Sequence, residues 1–200
     1  MPGENKKCDR RVIRTRRSLS EALTGLILKK RYDSITVQEV INRANVGRST
    51  FYVHYRSKDD LFLSDWKRLL DWFVSRIEWE KAGEVRFMPV LELFRHVQEF
   101  RGFYKALTRS KKTNFIFKMG VDYLSVSIQQ SLTKFLAGKP QPSVPVDVIS
   151  TYMAGQILTL LNWWAEHDMH YQPEQMDEMF HQLVVPGFVS ALRITERKWT

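Results

Sequence analysis

The sequence has a single cysteine in 200 residues, Cys8, which excludes an internal disulfide. Cys8 lies in a polar segment without the paired spacing of a zinc or redox site, so we expect a cytoplasmic, reducing location. The first eleven residues lack the apolar core of a secretory signal, and the most apolar run, residues 153–165, is interrupted by Gln156 and Asn162. We therefore expect neither secretion nor membrane insertion.

The chain also lacks the common catalytic motifs. It has no Gly-x-Ser-x-Gly, no glycine-rich phosphate loop, no His-Glu-x-x-His and no paired cysteines. His167 and His170 stand beside Glu166 and Asp168, but a solvated polar helix end accounts for them more simply than a metal site does. The sequence predicts a protein that is not an enzyme and that needs no metal or cofactor.

No strand pattern is present, whereas apolar residues repeat at helical spacing along most of the chain. Thr36 precedes Glu39 by three positions, and Ser57 precedes Asp60 by three. A hydroxyl followed by an acid at this spacing marks a helix start, because the side chains bond to free backbone N–H groups of the first turn. Two helix starts therefore flank a short segment. The first of these helices has an apolar stripe formed by Val37, Val40, Ile41 and Ala44.

A sharp turn is expected at residues 44–47, where Asn45 is the non-glycine residue that best tolerates a left-handed conformation. In the next helix Phe51 and Tyr55 stand four apart and share a buried face. The opposite face carries mainly hydrogen-bonding side chains, namely Arg48, Ser49, Thr50, Tyr52 and His54. Such a face fits the major groove of duplex DNA. An ordinary solvated surface is the alternative.

The segment ANVGRSTFYVHYRSKDDL, with its surroundings over residues 11–62, resembles the DNA-binding domain of the TetR/AcrR family of bacterial one-component transcription regulators. One departure is Asn45, where the family usually has glycine, and asparagine is the mildest replacement. The resemblance implies that Arg48, Ser49 and Thr50 face the groove. It also implies phosphate contacts for four residues: Thr36, Tyr52, His54 and Lys58. Thr36 and Lys58 lie at helix N-termini, where free N–H groups and the helix dipole favour an anion.

Positive charge is concentrated at the same end of the chain. Of a formal net charge of +9, residues 1–60 hold fourteen Lys and Arg against seven Asp and Glu, and the remainder holds seventeen against fifteen. A basic arm runs into the first helix, with Lys6, Lys7, Arg10, Arg11, Arg14, Arg16 and Arg17. This arm could contact the DNA backbone or enter a minor groove, and a solvated tail is the alternative.

The rest of the chain predicts further helices and an all-α fold. A fourth helix is expected from Lys58 to about Glu80, followed by helices across residues 91–107, 115–136, 145–167 and 173–194. Pro186 is expected to kink or divide the last one. We predict an N-terminal three-helix helix-turn-helix DNA-binding domain over residues 1–57. Residues 58–200 are predicted to form a C-terminal helical bundle for ligand binding and dimerisation.

The two C-terminal helices carry apolar stripes that could pack against a second copy of the chain. The residues predicted at this interface are Met153, Ile157, Leu160, Met176, Met179, Phe180 and Leu183. The family resemblance assigns a four-helix dimer contact to these helices. A two-fold dimer would also place two recognition helices about 34 to 36 Å apart on a palindromic site. A core within one chain is the alternative.

Aromatic residues crowd the middle of the chain, where the resemblance implies a cavity for a small molecule. The residues predicted to line it are His96, Phe100, Phe103, Tyr104, Tyr123 and Trp163. Plain core packing is the alternative for each of them. Residues 101–118 hold six Lys and Arg and no acid, and this segment could attract an anionic effector or form a solvated basic face.

These features predict a ligand-responsive transcriptional regulator. It would be a repressor that binds a palindromic operator as a homodimer and is released by a small-molecule effector. Its expected partners are double-stranded DNA, that effector and a second copy, with no membrane. The alternatives are a non-specific DNA-binding protein, an activator of the same fold, and a protein that retains the helix-turn-helix without using it.

Overall fold

The computed structural model describes residues 3–81 and 87–193, with the side chains of the first helix described from Arg10 onward. All regular structure in these ranges is helical. The helices are α1 (Gly3–Ile27), α2 (Val37–Ala44), α3 (Arg48–His54), α4 (Lys58–Val74), α5 (Val90–Glu99), α6 (Arg101–Thr108), α7 (Thr113–Phe135), α8 (Val146–Glu166) and α9 (Pro173–Leu192). Short 3₁₀ turns lie at Tyr32–Ser34 and Trp79–Lys81. The predicted all-α fold is confirmed.

We name α1, α2 and α3 the head. Its core contains the apolar stripe of α1, Tyr32 and Ile35 from the following loop, and Phe51 and Tyr55 from α3. Helical spacing predicted the burial of Phe51 and Tyr55, and each aromatic ring buried here contributes about 1.5 to 3 kcal/mol. Leu107 of α6 also enters this core. The head is therefore tied to a helix that lies far away in the sequence.

Helix α4 belongs to two cores. Leu61 and Phe62 near its start pack in the core of the head, whereas Leu70 and Phe73 pack in the core of the helices that follow. The domain boundary at residue 57 stays a prediction, because the first core extends past it. The helix ends at Val74, earlier than expected. Residues 82–86, which follow the expected end of this helix near Glu80, lie outside the described residues.

We name α5 to α9 the body. In its core Phe94 of α5 meets Trp164 of α8 edge to face, with ring centroids 5.2 Å apart. Helix α9 runs through Pro186 without being divided. Pro186 and Gln182 are both exposed, so water can bond to the Gln182 carbonyl that the proline leaves without a helical donor. Of the two outcomes predicted for Pro186, division of the helix is wrong, and a kink stays a prediction.

The predicted dimer interface needs correction. Met153, Ile157, Met176 and Phe180 are at most 1% exposed, because all four pack in the core of their own chain. The prediction that they face a second copy is wrong, and the intrachain alternative holds for them. Of the others, Leu160 and Met179 are half-buried, whereas Leu183 is 72% exposed.

The described residues contain no helix that is both long and apolar enough to cross a membrane. Within the same residues, no three His, Cys, Asp or Glu side chains are grouped so that they could hold a metal ion.

Candidate nucleic-acid interface

Thr36 begins α2 with the reciprocal capping arrangement that its spacing to Glu39 predicts. The Glu39 backbone N–H donates to Thr36 Oγ1 at 3.3 Å, and the Thr36 backbone N–H donates to Glu39 Oε2 at 2.9 Å. Lys30 Nζ donates to Glu39 Oε1 at 2.6 Å. Hydrogen bonds from Lys30 and Thr36 lower the pKa of Glu39 to about 2. The charged carboxylate therefore links the start of α2 to Lys30, in the segment that follows α1.

Asn45 forms the turn between α2 and α3, as predicted. Its backbone is left-handed, with φ 51° and ψ 48°, and the following Val46 N–H donates to Ile41 O at 3.0 Å. This bond satisfies a carbonyl at the end of α2. The turn fixes the direction in which α3 leaves, so the position of α3 depends on one residue in an uncommon conformation.

Helix α3 has one buried face and one exposed face. Phe51 is fully buried and Tyr55, at its C-terminal end, is 4% exposed. Arg48, Ser49 and Thr50 are exposed, and Tyr52 is 47% exposed with the Arg48 guanidinium 5.8 Å from its ring centre. The rings on the buried side anchor the helix. Its first turn therefore presents donors outward from a fixed support.

The structure brings most of the predicted DNA contacts together on this surface. Arg48, Ser49, Thr50 and Tyr52 share the exposed face of α3, and His54 is half-buried at its last turn. Thr36 lies exposed at the start of α2. We name this set, without Lys58, the reading surface. Its contacts with DNA stay a prediction.

Lys58 is placed differently from its predicted role. Its ammonium donates to three backbone carbonyls of the loop before α2: Ile35 O at 2.6 Å, Tyr32 O at 2.7 Å and Asp33 O at 3.3 Å. Burial lowers the pKa of Lys58. An ammonium has three N–H donors, and all are engaged here. A phosphate contact from Lys58 has no support in this arrangement.

The basic arm continues α1 as helix from Gly3 onward. Arg10, Arg11, Arg14, Arg16 and Arg17 are exposed, and among them Arg17 pairs with Glu21 at 2.8 Å. The side chains of Lys6 and Lys7 lie outside the described residues. Five arginines without an intervening acid give residues 10–20 a strong positive potential, which would favour an anionic polymer.

Two acids of the head region hold the turn between α6 and α7, and sequence reasoning missed them. Asp33 accepts from Ser110 Oγ at 3.1 Å and from the Lys111 backbone N–H at 3.0 Å. Asp59, in the first turn of α4, accepts from Lys112 Nζ at 2.6 Å and from the Tyr32 hydroxyl at 2.5 Å. We name these contacts the latch. Tyr32 and Asp59 are 27 positions apart, and the other contacts join residues more than fifty positions apart, so no local pattern could reveal them.

The electrostatics of the latch favour charged carboxylates. The backbone N–H of Lys111 is the main reason why the pKa of Asp33 lies below its usual value. Partial burial of Asp59 opposes ionisation, but hydrogen bonds from Lys112 and Tyr32 outweigh it and lower the pKa of this carboxyl too. The latch therefore contains two charged carboxylates, one in the loop that precedes α2 and one in the first turn of α4.

Residues 21–64 match the sequence profile described as "Bacterial regulatory proteins, tetR family", and residues 89–185 match that of a TetR "Transcriptional regulator C-terminal region". The chain belongs to the TetR family. A curated relative, the uncharacterized HTH-type transcriptional regulator YxbF of Bacillus subtilis (strain 168), is 40% identical over 65 residues. The match spans 30% of this chain and only 17% of YxbF.

Solved structures of TetR-family regulators share the fold. A TetR transcriptional regulator from Streptococcus agalactiae 2603V has a TM-score of 0.59 at 22% identity, over 91% of this chain and 99% of that one. FadR from Bacillus subtilis, solved in complex with stearoyl-CoA, has a TM-score of 0.55 at 19% identity, over 85% and 97%. At these identities the likeness extends to the fold alone, a helix-turn-helix followed by a helical domain.

This TetR-family chain has two cavities around α4. The first, of about 230 Å³, lies between α1, α4, α5 and α6, and we name it the interdomain cavity. The second, of about 70 Å³, lies between α4, α5, α6, α7 and α8, and we name it the body cavity. Phe62, Trp66 and Tyr104 line both, so these three side chains form a shared wall.

Four of the six predicted pocket residues line the interdomain cavity: His96, Phe100, Phe103 and Tyr104. Two do not line either cavity. Tyr123 donates to Asp71 Oδ1 at 2.7 Å across α7 and α4, and Trp163 is 39% exposed and stacks on His167. Sequence reasoning missed Trp66, because a tryptophan in an apolar helical stripe has the pattern of ordinary core.

Half of the basic side chains of segment 101–118 pair with acids. Lys105 pairs with Asp168, Lys112 with Asp59 and Lys118 with Asp122, and Arg101 donates to the Asp168 carbonyl at 2.8 Å. These contacts favour the solvated basic face over a site for an anionic effector.

Proposed function

We propose that this chain is a homodimeric, ligand-responsive transcriptional regulator that binds a palindromic operator through the reading surface. The observation that supports this most directly is the contrast across α3. Phe51 and Tyr55 anchor one side in the core, while Arg48 and its neighbours present donors on the other. A rigidly held helix with exposed donors in its first turn suits base contacts in the major groove.

The outer face of α8 and α9 supports a second copy as partner. Tyr152 and Trp163 of α8 are 51% and 39% exposed, and Leu183 of α9 is 72% exposed. A Cβ added at Gly155 or at Gly187 would meet no other atom within 4 Å, so the backbones of both helices are open to close approach from outside. This face, with half-buried Leu160 and Met179, is our proposed dimer interface in place of the predicted one.

Regulation by an effector is supported by the position of the cavities. The interdomain cavity separates α1 of the head from α5 and α6, and α6 also carries Leu107 into the head core. A ligand that prefers one spacing of head and body would shift the population of DNA-binding dimers. Release from the operator, and hence repression, is the form of regulation that we propose.

The ligand of the FadR structure is a poor candidate for the effector of this chain. Stearoyl-CoA carries phosphates and a long acyl chain, whereas no Lys or Arg lines either cavity. Phosphates are usually bound by such cations or by helix N-termini. The effector proposed here is therefore a different, smaller molecule.

Selection of binding sites from random duplex DNA with purified protein tests the proposal. We expect a palindromic sequence, bound about 10³-fold or more tightly than random DNA at the same salt concentration. Arg48→Ala should relax the preference at one base pair per half-site, whereas Tyr52→Ala should weaken binding to all sequences alike. Lys134→Ala removes an exposed charge at the far end of α7 and serves as the control. Enrichment of no sequence would leave only non-specific DNA binding.

The dimer interface has its own test. Leu183→Glu should convert the dimer to a monomer in sedimentation equilibrium, because it places a charge on the proposed apolar face. Val126→Glu changes a residue that is 51% exposed on α7 and should leave the dimer intact. A Leu183→Glu protein that remained dimeric would contradict the proposed interface.

A further inference from the structure

The interdomain cavity has an unusual lining for its position. One side comes from α1 of the head, including Leu23, Thr24 and Ile27, and the other comes from α4, α5 and α6. A molecule placed there would touch head and body at once. With the body cavity behind the shared wall, the space reaches the lower end of the roughly 300 to 1,000 Å³ found for ligand pockets.

Charge in the two linings argues against an anionic ligand. The one carboxylate, Asp65, accepts from Ser20 Oγ at 2.5 Å and pairs with Arg68. The one histidine, His96, has its pKa lowered by burial and is neutral at physiological pH. An anion in this lining would lose its hydration without meeting a positive group.

Two hydrogen-bond donors in the shared wall have no partner among the described residues. Trp66 Nε1 is buried and makes no hydrogen bond. The Tyr104 hydroxyl makes none either, and burial raises its pKa, so it keeps its proton. The two rings lie 6.3 Å apart. Indole nitrogen only donates, and a protonated tyrosine can donate, so the group that would satisfy them is an acceptor.

The indole of Trp66 packs directly against the backbone of a glycine. A Cβ added at Gly120 of α7 would lie 2.8 Å from Trp66 Nε1 and 2.9 Å from a Leu158 methyl. Leu158 lines the body cavity, so the unpaired N–H lies on that side of the shared wall. A buried N–H without an acceptor destabilises the folded protein. A ligand oxygen that reached it would remove that cost.

We infer that the effector is a neutral, largely apolar molecule of one or two rings with a single hydrogen-bond acceptor. Its rings lie in the interdomain cavity, and its acceptor reaches past the shared wall to the body-cavity side, where Trp66 Nε1 lies. This inference rests on the proposed regulatory function and names the ligand class and its place. Contacts to Thr24 and Ile27 on α1 and to Phe103 on α6 transmit its presence to the head. The other end of α6 carries the latch, so displacement of α6 loosens the loop before α2.

Three probes of nearly equal shape test the ligand class by calorimetry on the full chain: 2-acetylnaphthalene, 2-isopropenylnaphthalene and 2-naphthoate. The acetyl oxygen is the acceptor, the isopropenyl probe lacks it, and the naphthoate is charged. We expect 2-acetylnaphthalene to bind about 3- to 10-fold more tightly than 2-isopropenylnaphthalene, the usual effect of one neutral hydrogen bond. The naphthoate should bind most weakly. Equal binding of all three, tighter binding of naphthoate, or no binding up to the solubility limit would overturn the inference.

Variants locate the contact. The double variant Trp66→Phe/Tyr104→Phe removes both donors and should abolish the preference for the acetyl probe, whereas Trp163→Phe/Tyr123→Phe makes the same changes outside the cavities. Thr24→Phe fills the interdomain cavity from α1 and should reduce binding of every probe at least tenfold. Thermal melting shows whether each variant is folded. An intact acetyl preference in a folded double donor variant would refute the contact.

DNA binding in the presence of the probe separates this inference from the proposed function. A bound effector should lower operator affinity about 5- to 150-fold, the usual range of allosteric coupling. Selective probe binding without any change in DNA affinity would support the ligand site and overturn its regulatory role. A wild-type protein that bound the acetyl probe selectively but no DNA would contradict the proposed function and leave the ligand class supported.

Discussion

Helices α2 and α4 of the head region and helices α5 to α8 of the body begin in different ways. Helices α2 and α4 begin at Thr36 and Ser57, whose side chains accept a backbone N–H from the first turn. Helices α5 to α8 begin without any side-chain cap. The starts of α2 and α4 are set by residues three positions apart, whereas the starts of α5 to α8 depend on packing between distant helices. This contrast has one exception on each side, because α3 begins at Gly47 without a side-chain cap and α9 begins with reciprocal bonds between Gln172 and Gln175.

The two regions also differ in how tightly they are filled. Phe51 and Val40 in the head core are fully buried, whereas the cavities lie around α4, one against the buried side of α1 and the other among body helices. Close packing resists rearrangement, and a partly filled space permits it. A fixed reading surface joined to an adjustable body is what a ligand-responsive regulator requires.

The largest expected effect comes from the head core. Phe51→Ala should lower the free energy of unfolding by about 3 to 5 kcal/mol, because it removes a fully buried ring and leaves a cavity. Phe103→Ala, at the wall of the interdomain cavity, should cost clearly less, because that ring is only partly buried. Urea denaturation followed by circular dichroism measures both. Val53→Ala, 78% exposed on α3, is the control, with an effect within about 0.5 kcal/mol. Equal losses in the free energy of unfolding for Phe51→Ala and Phe103→Ala would show that the cavity wall is packed as tightly as the head core.

Lys58 gives the next effect and separates two roles. Lys58→Met should destabilise the protein by about 2 kcal/mol, because three loop carbonyls lose their donor. It should leave the salt dependence of DNA binding unchanged, whereas loss of one phosphate contact would lower the slope by about 0.9. Lys134→Met should alter neither quantity. A lower slope with normal stability would restore the phosphate contact that the family resemblance implies.

Lys58 also shows what the sequence can and cannot predict. The capping pair Thr36 and Glu39 and the turn at Asn45 were predictable, because each depends on neighbours within four positions. The partners of Lys58 were not predictable from the sequence. A lysine at a helix N-terminus can contact a phosphate or fold back onto a nearby loop, and its neighbours in the sequence do not decide between the two. Likewise, helical spacing showed that Met153 and Phe180 face something apolar. It could not show whether that partner is the same chain or a second copy.

Asp59 tests whether the latch joins the two regions. Its pKa in the folded protein is depressed, so the charged latch contributes its full stability above about pH 5 and loses it as pH falls through that pKa. Asp59→Asn should lower stability at pH 7 by about 1 kcal/mol, a modest value because the group is partly solvated. The difference from the wild type should shrink at acid pH.

The control for this variant is Asp122→Asn, which removes an exposed carboxylate paired with Lys118 one helical turn away on α7. It should change stability little at any pH, because exposed pairs of this kind contribute at most a few tenths of a kcal/mol. A constant difference between Asp59→Asn and the wild type from pH 7 to pH 3 would mean that the Asp59 charge does not stabilise the latch.

The smallest effect compares two left-handed residues. Asn45 in the head has φ 51° and Arg193 at the end of α9 has φ 55°. Asparagine tolerates this conformation well and arginine does not, at a cost of about 1 to 2 kcal/mol for an ordinary residue, whereas glycine adopts it freely but loses more chain entropy on folding. Asn45→Gly should therefore change stability by less than about 0.5 kcal/mol, and Arg193→Gly should stabilise by at least that much. Thermal melting measures both, and a larger gain at Asn45 would show that the turn of the head is strained.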